Sequence, residues 1–249
     1  MNITNQRDLE QLQQRYKGLP DGAVVGYVDE SYRLVRDCCE GETPFYVMAA
    51  VLLRVEDHTV IREDLIGIAG EQWWHTTDRQ RTPEGRQRIE AMTDYLSGYH
   101  DPCVIAVRHT PGPDETGRTM RATCLTALLE TITRPDNPAG TPATAMVVLE
   151  KQREQQDTNR DRYTISQAVK AGRISRNLPV HFVSPTVENL LWLPDLVTNT
   201  YRRYLTHHDT LVKALNSQTV IIDLAGETSD PLAAAAYVQG VSPLFRKEE

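Results

Sequence analysis

The run PFYVMAAVLLRV, residues 44–55, most constrains the fold. It is long, and it is apolar at both odd and even positions, so both faces of the strand it forms are buried. Just before it, GAVVGYVDE (residues 22–30) reads as another buried strand, and the loop ending in EGET joins the two as a hairpin. Further on, apolar strand-like runs alternate with helix-like ones. PCVIAVRHT, ATAMVVLEKQ and LPVHFVS read as strands. EDHTVIREDLIGIAG, with Val60, Ile61, Leu65 and Ile68 at helical spacing and Gly70 as a stop, reads as a helix. So do TPEGRQRIEAMTDYLSGYH, RTMRATCLTALLETIT, DTNRDRYTISQAVKAG and VENLLWLPDLVTNTYRRYLTHH. The fold class this order predicts is mixed α/β, with an early hairpin and later crossovers.

A chain of 249 residues fits one large domain or two small ones and can bury a sizeable core. The reading adopted is a main domain over 20–207, a short polar helix over 1–19 outside the core, and an appendage over 208–249 that carries TVIID and an alanine-rich, charged tail. The formal net charge of −7 argues against bulk electrostatic coating of nucleic acid or membrane and leaves room for a local basic patch. No apolar run is long enough to span a bilayer, and the first residues form no apolar signal region. The four cysteines form no C-x-x-C pair, so neither a zinc knuckle nor a disulfide framework is expected. These features together predict a cytoplasmic protein with reduced thiols and no membrane partner.

Three acids stand where acids are costly. Asp29 ends the first strand, Glu150 ends AMVVLE, and Asp195 interrupts LLWLPDLV. A carboxylate beside an apolar run needs a cation, a cluster of donors or a metal. Strand ends of α/β sheets are common places for sites, and three carboxylates meeting there would suit a hard divalent cation, Mg2+ or Mn2+. Such ions serve phosphodiester hydrolysis. Each acid also has a plainer role open to it: Glu150 as the opening of the next helix, Asp195 as a first-turn residue after Pro194, Asp29 as a turn.

On these residues the chain resembles the ribonuclease H-like superfamily, and within it the bacterial domain-of-unknown-function 3800 family. The features that carry the resemblance are YVDES (Tyr27–Ser31), the apolar FYVMAAVLL, VVLEKQ, and VSPTVENLLWLPDLV, over roughly residues 23–206. The resemblance implies a mixed sheet with flanking helices. It implies that Asp29 is the first-strand acid bridging metals, Glu150 the fourth-strand acid and Asp195 the acid of the last helix. His75, in WWHTTD, occupies the region of a Glu-x-His-like motif. The chain departs from the family pattern at Tyr32, where glycine is usual, and at Glu150, where aspartate is often found.

Other residues are candidates from their position. Glu30, next to Asp29, should face away from it, and His75 could move a proton or ligate metal. After Glu150 comes a basic segment. Lys151, Arg153, Arg160 and Arg162 in it could hold a phosphate backbone, or could be a solvated helix face. Asp157 and Asp161 would pair with those arginines or assist the site. Arg202 and Arg203 could contact phosphate or complement a helix end, whereas Trp73 and Trp74 read as core anchors.

The expectation that follows is a divalent-metal-dependent nuclease or related phosphoryl-transfer enzyme acting on RNA or DNA, with Asp29, Glu150, Asp195 and His75 as its catalytic residues. The alternative is a non-catalytic ribonuclease H-like binding or regulatory protein. A small-molecule phosphatase is a third possibility. Walker, nucleophile-elbow and HExxH motifs are absent.

Overall fold

The computed structural model describes residues 3–109, 115–224 and 242–243. Strand β1 (Val24–Arg33) and strand β2 (Phe45–Arg54) form an antiparallel hairpin whose register runs from Val24 opposite Arg54 to Arg33 opposite Phe45. Strand β3 (Cys103–His109) continues antiparallel to β2. On the other side of β1 lie two parallel strands, β4 (Met146–Glu150) and then β5 (Val180–Val183). Strand β6 (Thr219–Asp223) runs parallel to β3, and β7 is the two-residue strand Ser242–Pro243 paired with β6. The sheet order is β5-β4-β1-β2-β3-β6-β7.

The mixed α/β architecture expected from the sequence is present, with helices on both faces of the sheet. Alternation along the strands explains the two layers. Val25, Tyr27, Val47, Ala49 and Val51 point to one face and share a core with helix α2 (His58–Ala69), helix α4 (Pro83–Tyr99) and helix α7 (Trp192–His207). Val24, Val28, Tyr46, Met48 and Ala50 point to the other. There they meet helix α5 (Gly117–Ile132) and Ala168 of helix α6 (Gln155–Lys170). Gly26 lets α5 approach β1: a Cβ there would lie 3.1 Å from Ile132 Cδ1, tighter than ordinary contact.

Local signals account for the helix ends. Thr82 accepts a hydrogen bond from the Gly85 amide, with Pro83 at the first helical position of α4. Gly70 closes α2 in the left-handed region, at φ 68°.

Three sequence expectations change. Helix α1 (Ile3–Lys17) is not outside the core: Leu12 is buried in it, and the Tyr16 hydroxyl donates to Glu188 at 2.8 Å. Residues beyond 207 are not wholly an appendage, because a 3-10 segment, Leu211–Gln218, leads into β6 within the sheet. The alanine-rich stretch, most of the tail and most of the PGPDETG loop lie outside the described residues. Finally, only one tryptophan of the pair is an anchor. Trp74 is buried and donates to Thr76 Oγ1, whereas Trp73 is exposed. Between them and α4, helix α3 (Thr76–Arg79) is a single turn.

Candidate metal and phosphate site

The register of β1 and β4 places two acids side by side. Val28 pairs with Leu149 in the parallel ladder, so the next residues along, Asp29 and Glu150, are neighbours at the carboxyl ends of adjacent strands. Both follow the odd–even pattern of the α7-facing core, to which Tyr27 and Val148 belong. Helix α7 crosses this face with Leu193, Leu196 and Val197 buried and brings Asp195, in its first turn, over the strand ends. The three acids line one open cleft of about 550 Å³.

Their hydrogen bonds fix them from different segments. Asp29 Oδ1 accepts from the Glu30 amide at 2.7 Å. Asp195 Oδ2 accepts from both the Thr76 amide (2.7 Å) and Thr76 Oγ1 (2.9 Å), tying α7 to α3. The Asp29 and Glu150 carboxyls lie within hydrogen-bonding reach of each other.

Charge compensation is where these acids differ from three others. The side chains of Asp161, Glu188 and Glu115 are buried and each faces an arginine: Arg121, Arg62 and Arg108 respectively. Among the described residues no salt bridge reaches Asp29, Glu150 or Asp195. Burial and mutual repulsion therefore push the Asp29 carboxyl well above the usual carboxylate range, with Glu150 the leading charged contributor. Burial, with Glu30 and Asp195 adding to it, raises Glu150 to about 7. Burial also raises Asp195, but the Thr76 donors and His75 oppose the shift.

The sequence candidates divide. His75 lines the cleft, exposed, with Nδ1 3.1 Å from Asp78 Oδ2. Lys151, Arg153 and Arg202 also line it. Arg203 does not join them, because it pairs with Asp209 at 2.8 Å. Arg160 pairs with Asp157, and Arg162 lies over the Phe182 ring at 5.2 Å, and neither lines the cleft with Lys151 and Arg153. Glu30 faces the opposite side of the sheet from Asp29, as alternation requires. There it meets Arg121 at 2.5 Å and accepts from Gln152 Nε2 at 2.8 Å. Asp161 grips the same Arg121 at 2.7 Å, which removes it from the acid cleft.

Two contributors escaped the sequence reading. Thr76 is the donor that holds Asp195. Asn199, one turn after Asp195 on the same helix face, is buried and lines the cleft, and its Oδ1 has no hydrogen-bond partner. The spacing of four from Asp195 was the available signal.

Among the described residues, no group of three or more His, Cys, Asp or Glu side chains is already gathered tightly enough to enclose a metal ion. The chemistry of the donors nevertheless suits a hard cation: three carboxyls without a salt bridge among the described residues line one opening, with the Asn199 amide beside them. A divalent charge would replace their repulsion by attraction and draw the pKa values down.

Compared with known proteins, the chain matches no family model, and no curated protein matches it.

Proposed function

We propose that the protein is a divalent-metal-dependent nuclease or related phosphoryl-transfer enzyme that hydrolyses phosphodiester bonds. The observation that carries this reading is the convergence of Asp29, Glu150 and Asp195, without arginine partners, on one cleft whose rim holds Lys151, Arg153 and Arg202. The positions of the acids, on the first strand, the fourth strand and the last long helix, support the ribonuclease H-like resemblance. The reading places the protein in the cytoplasm with nucleic acid as its partner.

Each residue has a role in this account. Asp29, Glu150 and Asp195 would hold Mg2+ or Mn2+, with Thr76 keeping the Asp195 carboxylate oriented. When bound, such an ion would supply Lewis acidity and a more acidic water. Lys151, Arg153 and Arg202 hold the phosphate backbone by charge. His75, exposed on the rim, delivers a proton to the leaving oxygen.

The test is cleavage of single- and double-stranded DNA, RNA and hybrid oligonucleotides with manganese. Asp29→Asn and Asp195→Asn are each expected to reduce the rate about 10²–10³-fold, the scale of losing an electrostatic element of a catalytic site. Cleavage that survives in Asp29→Asn overturns the proposal. That no group of three or more His, Cys, Asp or Glu among the described residues is set to hold a metal ion favours a second reading, a binding protein that has kept the sheet and lost the chemistry. That reading expects no cleavage of any of these substrates.

A further inference from the structure

A second cavity, of about 470 Å³, adjoins the acid cleft on the α5 side of the sheet, and the two share Tyr32, Gln152 and Asp157 as common walls. Its lining combines an aromatic surface with free cationic charge. Tyr32 stacks on Tyr46 with ring centroids 5.3 Å apart and an interplanar angle of 11°. Tyr32 is also about half exposed. One ring face is therefore taken by Tyr46, and the exposed part of the ring is available to a ligand.

The arginines around it are not equivalent. Arg121 is consumed by Glu30, Asp161 and the Tyr46 hydroxyl. Arg160 is paired with Asp157. Arg118, exposed in the first turn of α5, makes no hydrogen bond or ion pair among the described residues. Arg36 has only a loose 3.7 Å contact with Asp37, both side chains being exposed. Two exposed cations thus line a cavity with an open aromatic ring: Arg118, with no ion pair among the described residues, and Arg36, with its loose contact to Asp37.

We propose that this cavity is a nucleotide subsite: it takes a base against Tyr32 and the attached phosphate between Arg118 and Arg36. The occupant is a nucleotide of the same strand whose neighbouring phosphate lies in the acid cleft, because Tyr32, Gln152 and Asp157 wall both spaces. Stacking on an aromatic face is tolerant of base identity, so the subsite favours single-stranded or locally unpaired substrate over a continuous duplex. This inference rests on the nuclease reading for its choice of strand, and on the cavity itself for its chemistry.

The experiment separates the two. Binding of a fluorescein-labelled single-stranded oligonucleotide is measured by anisotropy in calcium, and cleavage of the same oligonucleotide is measured in manganese. Arg118→Ala is expected to weaken binding about tenfold and to lower the slope of log affinity against log salt by about one, as one lost phosphate contact should. Tyr32→Ala is expected to weaken it about tenfold, with Tyr32→Phe restoring it. An abasic nucleotide at the matching position should penalise the native protein and leave Tyr32→Ala unaffected. If the native chain binds the oligonucleotide in this pattern but cleaves nothing, the subsite stands and the nuclease reading falls. Binding unchanged in both variants, no oligonucleotide binding at all, or binding of a nucleoside monophosphate alone would each overturn the subsite on a strand.

Discussion

At the residue scale, the account turns on carboxyls kept close without a cation. Their raised folded-state pKa values make a stability prediction with a definite sign. A carboxyl whose folded pKa lies above its unfolded value contributes stability that is complete at low pH and is lost as pH rises through the folded value. For Glu150 that window runs from the ordinary 4.5 to about 7, and Asp29 extends it upward. Asp29→Asn removes the repulsion. In metal-free buffer at pH 8 it is expected to stabilise the fold by about 1–3 kcal/mol, or about 2–4 °C in melting temperature per kcal/mol. A calorimetric or fluorescence melt checks this, and a melt lowered by the substitution would refute it. Thr76 gives a second prediction at this scale. Thr76→Val keeps the amide donor to Asp195 and removes the hydroxyl, which donates to Asp195 and accepts from the buried Trp74 indole. It should cost about 2–4 kcal/mol of stability and roughly tenfold in metal-dependent rate, while metal-independent oligonucleotide binding stays as it was.

At the element scale, β1 is the hinge between two chemistries. Its alternation sends Asp29 towards α7 and Glu30 towards α5, and Arg121 then joins Glu30 of β1 to Asp161 of α6. Removing a cation from a buried network leaves its acids unpaired. Arg121→Ala is therefore expected to destabilise the protein by about 3–5 kcal/mol. Restoring compensation by combining it with Glu30→Gln and Asp161→Asn should recover part of that loss. Urea unfolding of the single and triple variants measures the difference, and equal stability of the two would contradict the network.

Local pattern made most elements legible. The apolar β1 and β2, the Thr-Pro-Glu opening of α4 and the glycine end of α2 all carry their own signals. Helix α1 was legible as a helix but its docking was not, because its anchoring depends on Leu12 and on Tyr16 reaching Glu188, 172 positions away. The contact of Thr76 with Asp195 spans 119 positions, and no spacing rule reports such a pairing. Trp73 and Trp74 differ only in which side of the chain faces the core, a distinction invisible in two adjacent identical residues. The three acids were legible because each interrupts or ends an apolar run. That Arg160 and Arg162 turn to other partners was not, since it depends on where α6 packs.

At the scale of the whole molecule, two regions on the same face of the sheet titrate in opposite directions. At the start of α2, against Tyr27, burial and the nearby Arg62 lower the His58 pKa to about 3. A base with a depressed folded pKa costs stability as pH falls from about 6.5 towards that value, because the unfolded chain takes up the proton first. The acid cleft costs stability as pH rises over an overlapping range. His58→Phe should remove the acidic penalty, making stability fall more steeply with pH between 4 and 6.5, whereas Asp29→Asn should make it fall less steeply. Melting curves collected across this range in metal-free buffer resolve both slopes.

The cleft and the cavity share Tyr32, Gln152 and Asp157 as walls, and the proposed strand would cross both. The measurement that tests the central claim most directly is manganese titration by calorimetry at pH 7.5, comparing the native chain with Asp29→Asn. The account predicts saturable binding in the native protein that the substitution abolishes. Equal binding in both, or none in either even with a non-cleavable oligonucleotide present, would contradict it.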